Sequence, residues 1–506
     1  MKTTNETNQD DFNKILWTSC DIFRGVISAD IYKDFVLTML FLKFITDVND
    51  DNCNKSLARN QENTLLNNDM MSMQRFVVPK GSSFSDLYEK RHAPGNAERI
   101  DFALSTIEKA NGSKLYNIFK NIRFNTDLLG DESQRDALLE RLLEFFGRNI
   151  LNLSVVHAES PRIIGNAFKY LIENYARVCE STKCMFYTPS DVSILLATLL
   201  APSDEDQICD PFSGCGSLLL KCGEMVRIAT GSKKYSLFGQ EINGTTWALA
   251  KMNMFLHGEN FHRIEWDDTL RFPLLLDKEG KSLLQFDVVL SNPPFVMDKW
   301  GYEEASFDPY GRFRRGIPPK TRGNYAFISH MIETLKPESG RMGVIAPHGV
   351  LFRAASEGAI RKKLIEENLL HTVIGLPEKL FFDTSIAGVI LIFKKNKSDN
   401  NVLFIDASRE FKPGKNQNQL SSENIEKIVD AYECRKSIDK YAYLASFDEI
   451  KENDFNLNIP RYVDTFEEEA AIDLAAVCKN RLQLKRELQS IEDKIEGYLK
   501  ELGYDI

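Results

Sequence analysis

The sequence predicts an α/β protein: an open, mostly parallel sheet with helices on both faces, preceded by a helical domain and followed by a terminal helix. From about residue 160, apolar runs of strand length alternate with segments of helical periodicity, which is typical of strands joined by crossover helices. Before that point the periodicity is helical. A chain of 506 residues has room for roughly three domains, and the changes in pattern predict them at 1–155, 156–407 and 408–506.

Helices are predicted in the first 155 residues. Apolar residues recur every three or four positions between Ile15 and Phe44, the spacing of one buried helix face. The polar stretch 47–69 that follows is interpreted as a loop. Further helices are predicted at 101–110 and 136–147.

The middle region is predicted to alternate helices with strands. Helices are expected at 163–178, 190–200, 218–228 and 244–257. Strands are expected at 207–210, 235–240, a segment ending near Asp268, 286–291, 342–346, 371–375, 386–394 and 402–406. Open α/β sheets bind their ligands at the carboxyl ends of such strands.

The last predicted element is a charged helix with an apolar seam. The seam residues follow one another in alternating steps of four and three: Leu484, Leu488, Ile491, Ile495, Tyr498 and Leu502. This is the pattern of a coiled coil. It fits a helix that binds a partner, and it fits equally a helix that packs on its own domain.

Composition narrows the class of protein. The chain has 63 basic and 73 acidic residues and a net charge of −10. This excludes a protein whose whole surface is basic and binds nucleic acid or a membrane through that charge. The longest apolar runs, such as 389–393, are far shorter than the ~20 residues of a membrane span. The start is polar, without the apolar core of a secretory signal, and nine scattered cysteines lack a CxxC pair. We therefore expect a cytoplasmic protein with reduced thiols, no membrane partner and no metal site.

A glycine-bearing loop follows the first predicted strand of the middle region. Asp210-Pro-Phe-Ser-Gly-Cys-Gly216 ends that strand and opens a helix, so the backbone can approach a ligand near free N–H groups. A tight strand-to-helix turn is the alternative interpretation. The loop is not a GxGxxG motif, and no GxxxxGK[ST] motif occurs, so nothing indicates nucleotide hydrolysis.

Two acids end the next two strands. Glu241 lies 25 residues after Gly216, where an acid can accept hydrogen bonds from both hydroxyls of a ribose; an exposed helix-capping acid would look the same. Asp268 ends the third strand, although Asp267 beside it leaves the choice open. Together with the loop, these acids predict a cradle for an adenosine-bearing cofactor.

Asn292-Pro-Pro-Phe295 directly follows the fourth strand. The two prolines fix the backbone, so the Asn292 side chain and the Pro293 carbonyl can converge as acceptors on an exocyclic amine. Phe295 offers a flat face for a base taken out of its stack. A rigid turn with a core phenylalanine is the alternative.

These motifs resemble the amino methyltransferases that use S-adenosylmethionine, with DPxxGxG before NPP[FY]. With Phe-Tyr-Thr-Pro upstream at 186–189, the order is similar to the gamma group of N6-adenine DNA methyltransferases. Segments 16–25, 32–44, 375–381 and 456–462 further resemble the modification subunit of type I restriction–modification systems. The match covers nearly the whole chain and implies a Rossmann-like methyltransferase core.

The resemblance implies a role for each matching position. The methionine side of the cofactor would be lined by Met185, Phe186, Tyr187, Thr188, Pro189 and Ser190. Its carboxylate and sulfonium would meet Asp210, Gly214, Cys215, Gly216 and Ser217. Glu241 would bind the ribose and Asp268 the adenine amine. The target adenine would be held by Asn292, Pro293, Pro294 and Phe295. Ser217 replaces a glycine frequent in the family, and Cys215 fills a variable position.

A basic loop follows the NPPF motif. Between Phe307 and Phe327, basic residues exceed the single acid, Asp308, by four, with aromatic residues interleaved. The basic residues are Arg312, Arg314, Arg315, Lys320 and Arg322. Such loops are usually only solvated, but its position after the motif predicts contact with DNA phosphates.

The resemblance also implies partners. Two copies of the chain would assemble with one specificity subunit that reads the DNA sequence, and a motor-nuclease subunit would join for cleavage. One alternative is a methyltransferase acting on protein glutamine or RNA, where NPP[FY] also occurs; the long helical N-terminal domain argues against it. The other is a catalytically silent assembly subunit, against which the intact motifs argue.

Overall fold

The computed structural model describes residues 8–59, 76–154, 156, 162–178, 187–259, 261–382, 386–415, 417–465 and 474–503. The chain divides into two compact units, Met1–Val463 and Asp464–Ile506. The domain boundaries predicted after residues 155 and 407 stay predictions.

A nine-stranded sheet forms the centre of the first unit, in the order β3-β2-β1-β4-β5-β7-β6-β8-β9. Its strands are β1 Gln207–Asp210, β2 Ser236–Glu241, β3 His262–Trp266, β4 Val288–Ser291, β5 Arg341–Pro347, β6 Leu370–Gly375, β7 Gly388–Lys394, β8 Val402–Asp406 and β9 Ala442–Ala445. The five strands from β3 to β5 pair in parallel, whereas β7 is antiparallel to both β5 and β6. The predicted fold class, a mostly parallel sheet within an α/β core, is confirmed.

Both faces of the sheet are covered, which explains the continuous apolar runs of its strands. In β4 all four residues are buried. Val288 and Leu290 join one hydrophobic cluster, while Val289 between them joins the cluster on the other face. Because successive side chains of a strand point to opposite faces, the central strands lie between two apolar layers.

The predicted helices occur near their expected positions, whereas the helix at 84–89 and the helices between residues 324 and 452 were not predicted. The helices are α1 Gln9–Trp17, α2 Ala29–Arg59, α3 Phe84–Glu89, α4 Asn96–Ala110, α5 Glu132–Phe146, α6 Ile163–Val178, α7 Ser190–Leu200, α8 Ser217–Thr230, α9 Gly244–Leu256, α10 Asn324–Glu333, α11 Gly349–Phe352, α12 Ala355–Glu366, α13 Ser422–Cys434, α14 Phe447–Glu452 and α15 Leu474–Glu501. Asp131 caps α5 through a reciprocal capping box with Gln134, which fixes its start.

The loop predicted at 47–69 is wrong over its first part, because α2 continues to Arg59. Neither glycine nor proline, the two residue types least compatible with a helix interior, interrupts this helix. Residues 60–69 lie outside the described residues. The N-terminal helices pack on the same hydrophobic cluster as one face of the sheet; for example, the rings of Phe41 and Phe255 lie 6.3 Å apart.

The C-terminal part contains elements that were not predicted, among them α13 and α14. Strand β9, which was not predicted, pairs antiparallel with β8, so residues after 408 complete the sheet. In the second unit, α15 confirms the predicted terminal helix, and its described seam residues from Leu484 to Leu502 are exposed. Across the described residues, no helix has the length and apolarity needed to cross a membrane.

Candidate methyl-transfer site

Four sequence-predicted residues meet at one edge of the sheet. Asp210 and Glu241 are the last residues of β1 and β2, Asn292 directly follows β4, and Asp268 comes two residues after β3. The four strands are neighbours and run parallel. Their carboxyl ends therefore form a single edge, which is where open α/β sheets bind ligands.

The glycine loop between β1 and α8 is anchored at both ends. The Asp210 carboxylate is buried, and its Oδ1 accepts hydrogen bonds from the Ser291 hydroxyl at 2.7 Å and the Phe212 amide at 3.1 Å. Gly216 adopts a φ of 78°, and a Cβ there would lie 2.6 Å from Cε of Met254. The positive φ favours glycine at Gly216, whereas the Met254 methyl is the end of a flexible side chain and can move aside.

Burial controls the protonation of this loop. It raises the pKa of Asp210 from 3.8 to about 7, against the stabilising hydrogen bonds from Ser291 and the Phe212 amide. Burial also raises the pKa of the Cys215 thiol to about 12, so the thiol is neutral at pH 7 and no thiolate nucleophile forms there. Ser217 begins α8 and is buried.

The two acids are held by backbone amides. Glu241 accepts from the Gly214 amide at 2.9 Å and from the Asn243 amide at 2.8 Å, so it connects the end of β2 to the glycine loop. Asp268 accepts from the amides of Leu270 and Arg271 at 2.9 and 3.3 Å. Burial raises the pKa of both carboxyls. The Oδ1 of Asp267 likewise accepts from a backbone amide, that of Asp268, at 2.8 Å, so the choice of Asp268 over Asp267 stays a prediction.

The segment before α7 lies beside the acceptor loop. Tyr187 and Thr188 are buried, and the Tyr187 hydroxyl donates to Glu173 at 3.2 Å. The Ser190 hydroxyl accepts from Nζ of Lys169 at 3.1 Å, while Pro189 is the N-cap of the helix. Met185 and Phe186 lie outside the described residues.

The Asn292–Phe295 loop is held from three sides. Nδ2 of Asn292 donates to the Thr188 hydroxyl at 3.2 Å, and the carbonyl of Phe295 accepts from Nδ2 of Asn324 at 3.1 Å. Pro293 is buried, and Pro294 and Phe295 are half-buried. The Phe295 ring meets Phe381 edge-to-face, with centroids 5.4 Å apart at 71°.

Two residues at the site received no role from the sequence. Ser291 bonds Asp210, and its only signal is its place directly before Asn292. Phe381 lies in the segment 375–381, which carried the family resemblance, but its distance in sequence from Phe295 hides their ring contact. Aromatic pairs of this geometry are favourable, so Phe381 orients the ring of Phe295.

Two of the five predicted DNA-binding residues are buried, so the basic loop presents fewer positive charges to solvent than its sequence predicts. Arg312 is 3% exposed and bonds Asp308 and the carbonyls of Thr269 and Leu270. Arg315 is 1% exposed, and its charge is neutralised by ion pairs with Glu333 and Glu367. Arg312 does not reach a phosphate, because leaving would strand the buried carboxylate of Asp308. Arg315 is itself buried and engaged by two carboxylates.

The other three basic residues are exposed. Arg314 bonds the same two glutamates as Arg315, at 3.2 and 3.4 Å, and Lys320 pairs with Glu303 at 2.6 Å. Arg322 is exposed as well. Exposed ion pairs of this kind contribute little and exchange readily, so DNA contact by Arg314, Lys320 and Arg322 stays a prediction.

The parallel strand ends, the glycine loop and the two acids define the class of Rossmann-like methyltransferases. The chain belongs to the N-6 DNA methylase family, whose model matches residues 159–471, and the model of the HsdM N-terminal domain matches residues 12–146. The resemblance seen in the motifs is thereby confirmed.

Relatives cover nearly all of the chain. The type I restriction enzyme MjaVIII methylase subunit of Methanocaldococcus jannaschii is 32% identical over 82% of this chain and 72% of its own length. The MpnII methylase subunit of Mycoplasma pneumoniae is 28% identical over 97% and 96% of the two chains. The crystal structure of a type I restriction-modification methyltransferase subunit from Streptococcus thermophilus has a TM-score of 0.77 at 33% identity, covering 91% of this chain and 100% of that one.

Proposed function

We propose that this chain transfers a methyl group from S-adenosyl-L-methionine to N6 of adenine in DNA, as the methyltransferase subunit of a type I restriction–modification complex. One observation carries the proposal: the Asn292–Phe295 loop directly follows a strand whose last residue, Ser291, is hydrogen-bonded to Asp210 of the glycine loop. An amine acceptor and a cofactor cradle thus share one strand edge.

The chemistry of the cradle fits this cofactor. Asp210, Glu241 and Asp268 are all acids at adjoining strand ends. Carboxylates accept hydrogen bonds from ribose hydroxyls and an adenine amine, and their negative potential favours a sulfonium cation over a phosphate. Glu241 would hold the ribose and Asp268 the adenine, while Gly214 and Gly216 let the loop approach the methionine end.

The chain's own groups would align and polarise the target amine. The cofactor supplies a methyl group that is already activated on a sulfonium. Oδ1 of Asn292 and the Pro293 carbonyl accept the two amine hydrogens, so the nitrogen lone pair is free to attack and its growing positive charge is stabilised. Phe295, oriented by Phe381, stacks on the base. As the carbon–nitrogen bond forms, the methyl–sulfur bond would break and its electron pair would stay on sulfur as a neutral thioether. The surplus proton would then pass from the nitrogen to solvent water.

We assign sequence recognition to a partner. Named relatives are methylase subunits of type I restriction enzymes, which supports a complex of two copies of this chain with a specificity subunit, joined by a motor-nuclease subunit for cleavage, acting on DNA in the cytoplasm. The exposed apolar seam of α15 supports a partner-binding helix. Arg314, Lys320 and Arg322 would contact DNA phosphates.

The test is the Asn292→Ala variant. Single-molecule sequencing of host DNA is expected to show loss of N6-methyladenine at a split motif of two half-sites, while calorimetry on the purified chain shows cofactor binding within about threefold of wild type. Exposed Asn125 supplies the control, Asn125→Ala, which should keep methylation. Unchanged adenine methylation with Asn292→Ala would contradict the proposal and would favour protein glutamine or RNA as the substrate.

A further inference from the structure

The two ends of the Asn292 amide are chemically different. Only Oδ1 can accept a hydrogen bond, whereas Nδ2 can only donate. An exocyclic amine offers hydrogens, so Oδ1 must face it, and a rotation of the amide by half a turn would set donor against donor. The site therefore needs a group that accepts from Nδ2.

Thr188 supplies that acceptor. Its hydroxyl lies 3.2 Å from Nδ2 of Asn292, although the two residues are 104 positions apart. Thr188 is 6% exposed, so water does not readily replace it. A hydroxyl can both accept and donate, so this bond fixes the place of the Asn292 side chain, and the target amine, which offers its hydrogens, selects the orientation with Oδ1 towards it. We infer that Thr188 is a positioning residue, which holds the Asn292 amide where its Oδ1 can meet the target amine; this inference rests on the proposed function.

The backbone around Thr188 is fixed independently of this bond. The carbonyl of Pro189 accepts from the amide of Ser193 at 2.9 Å and from its hydroxyl at 3.0 Å, which secures the start of α7. The Thr188 hydroxyl is thus presented by a rigid segment. Rigid presentation matters because a small misplacement of an aligning group can lower a rate by about 100-fold.

This role differs from the one that the family resemblance implies for Thr188. A cofactor ligand would lower the affinity for S-adenosylmethionine when removed. A positioning residue acts through Asn292, and its removal lowers the rate of transfer while cofactor affinity is kept. The two roles therefore separate in one set of measurements.

The experiment uses the complex of this chain with its specificity subunit. Single-turnover methyl transfer to DNA at saturating S-adenosylmethionine gives the rate, and calorimetry gives the cofactor Kd. We expect Thr188→Val, which keeps the side-chain shape, to lower the rate roughly 10- to 100-fold with Kd within threefold. Thr188→Ser keeps the hydroxyl and should restore the rate to within threefold of wild type.

Ser193→Ala is the matched control. It removes the bonds of the Ser193 hydroxyl to the carbonyls of Pro189 at 3.0 Å and Thr188 at 3.4 Å but keeps the Thr188 hydroxyl. The Ser193 amide still holds the Pro189 carbonyl, so the rate should stay within threefold. The inference is overturned if Thr188→Val leaves the rate unchanged, weakens cofactor binding as much as the rate, or is matched by Ser193→Ala. A wild-type complex that transfers no methyl group to DNA would instead refute the proposed function.

Discussion

The Ser291 hydroxyl donates to Oδ1 of Asp210 at 2.7 Å, and both side chains are buried. The bond crosses between the neighbouring parallel strands β4 and β1. Asp210 begins the glycine loop, and Ser291 immediately precedes Asn292. A single hydrogen bond therefore fixes the distance between the proposed cofactor loop and the proposed amine acceptor.

The raised pKa of Asp210 predicts a pH-dependent stability. Burial raises this pKa from 3.8 to about 7, so between these values the folded chain holds a proton that the unfolded chain has lost. Its contribution to stability is therefore largest below pH 3.8 and falls as the pH rises to about 7. Asp210→Asn stays neutral throughout, so its melting temperature relative to wild type should increase from pH 5 to pH 8.

Thermal unfolding monitored by circular dichroism at both pH values makes this comparison. Asp439→Asn, at an exposed position, is the control and should differ from wild type by the same amount at pH 5 and pH 8. If Asp210→Asn also shows a constant difference, Asp210 is ionised across this range and the burial argument is wrong.

Arg312 is predicted to hold the cofactor site together. Its guanidinium bonds the carbonyls of Thr269 and Leu270 at 3.0 and 2.8 Å, directly after Asp268, and the Thr269 hydroxyl bonds the carbonyl of Pro211 at 2.7 Å. Arg312→Ala would also strand the buried carboxylate of Asp308. We expect a loss of about 3–5 kcal/mol in the free energy of unfolding and weaker binding of S-adenosylmethionine.

Urea unfolding and calorimetry measure the two effects of Arg312. The control is Arg314→Ala in the same loop, where the side chain is 54% exposed and the loss should stay below about 1 kcal/mol, with cofactor affinity unchanged. Equal stability losses in the two variants would show that the Arg312 bonds do not support the site.

Strand positions could be predicted from sequence because each strand combines a strong apolar run with a clear stop. The run before Asn292 ends at two prolines, and β1 is followed by Pro211 and a glycine. Their side chains alternate between two covered faces, so both local pattern and burial agree. The antiparallel direction of β7 and the presence of β9 depend on pairing partners elsewhere in the chain, which local patterns do not encode.

The functional site, like the fold, could be predicted from sequence only where local patterns suffice. Asp210, Glu241, Asp268 and Asn292 could be chosen because each lies at or just after the end of a strand, and parallel strands bring such residues to one edge. The basic loop could not be interpreted from charge alone, since the bonds of Arg312 reach Thr269, 43 positions away, and those of Arg315 reach Glu367, 52 positions away. A charge count cannot distinguish a solvated arginine from one paired inside the fold.

Alanine substitutions at Gly216 and Gly231 distinguish a loss of stability from a loss of cofactor binding. The two glycines are the N-cap and C-cap residues that flank α8, with similar positive φ values of 78° and 69°, so alanine at either position costs roughly 1–2 kcal/mol of stability. A Cβ at Gly231 meets nothing within 4 Å, whereas at Gly216 it lies 2.6 Å from Cε of Met254. Because Met254 Cε is the end of a flexible side chain that can move aside, backbone strain is the main effect of Gly216→Ala. That strain lies in the proposed cofactor loop, so Gly216→Ala should weaken S-adenosylmethionine binding by about tenfold, and Gly231→Ala, at the far end of α8, should leave it unchanged. Calorimetry on the two folded variants decides the matter, because equal affinities would mean that the glycine loop does not contact the cofactor.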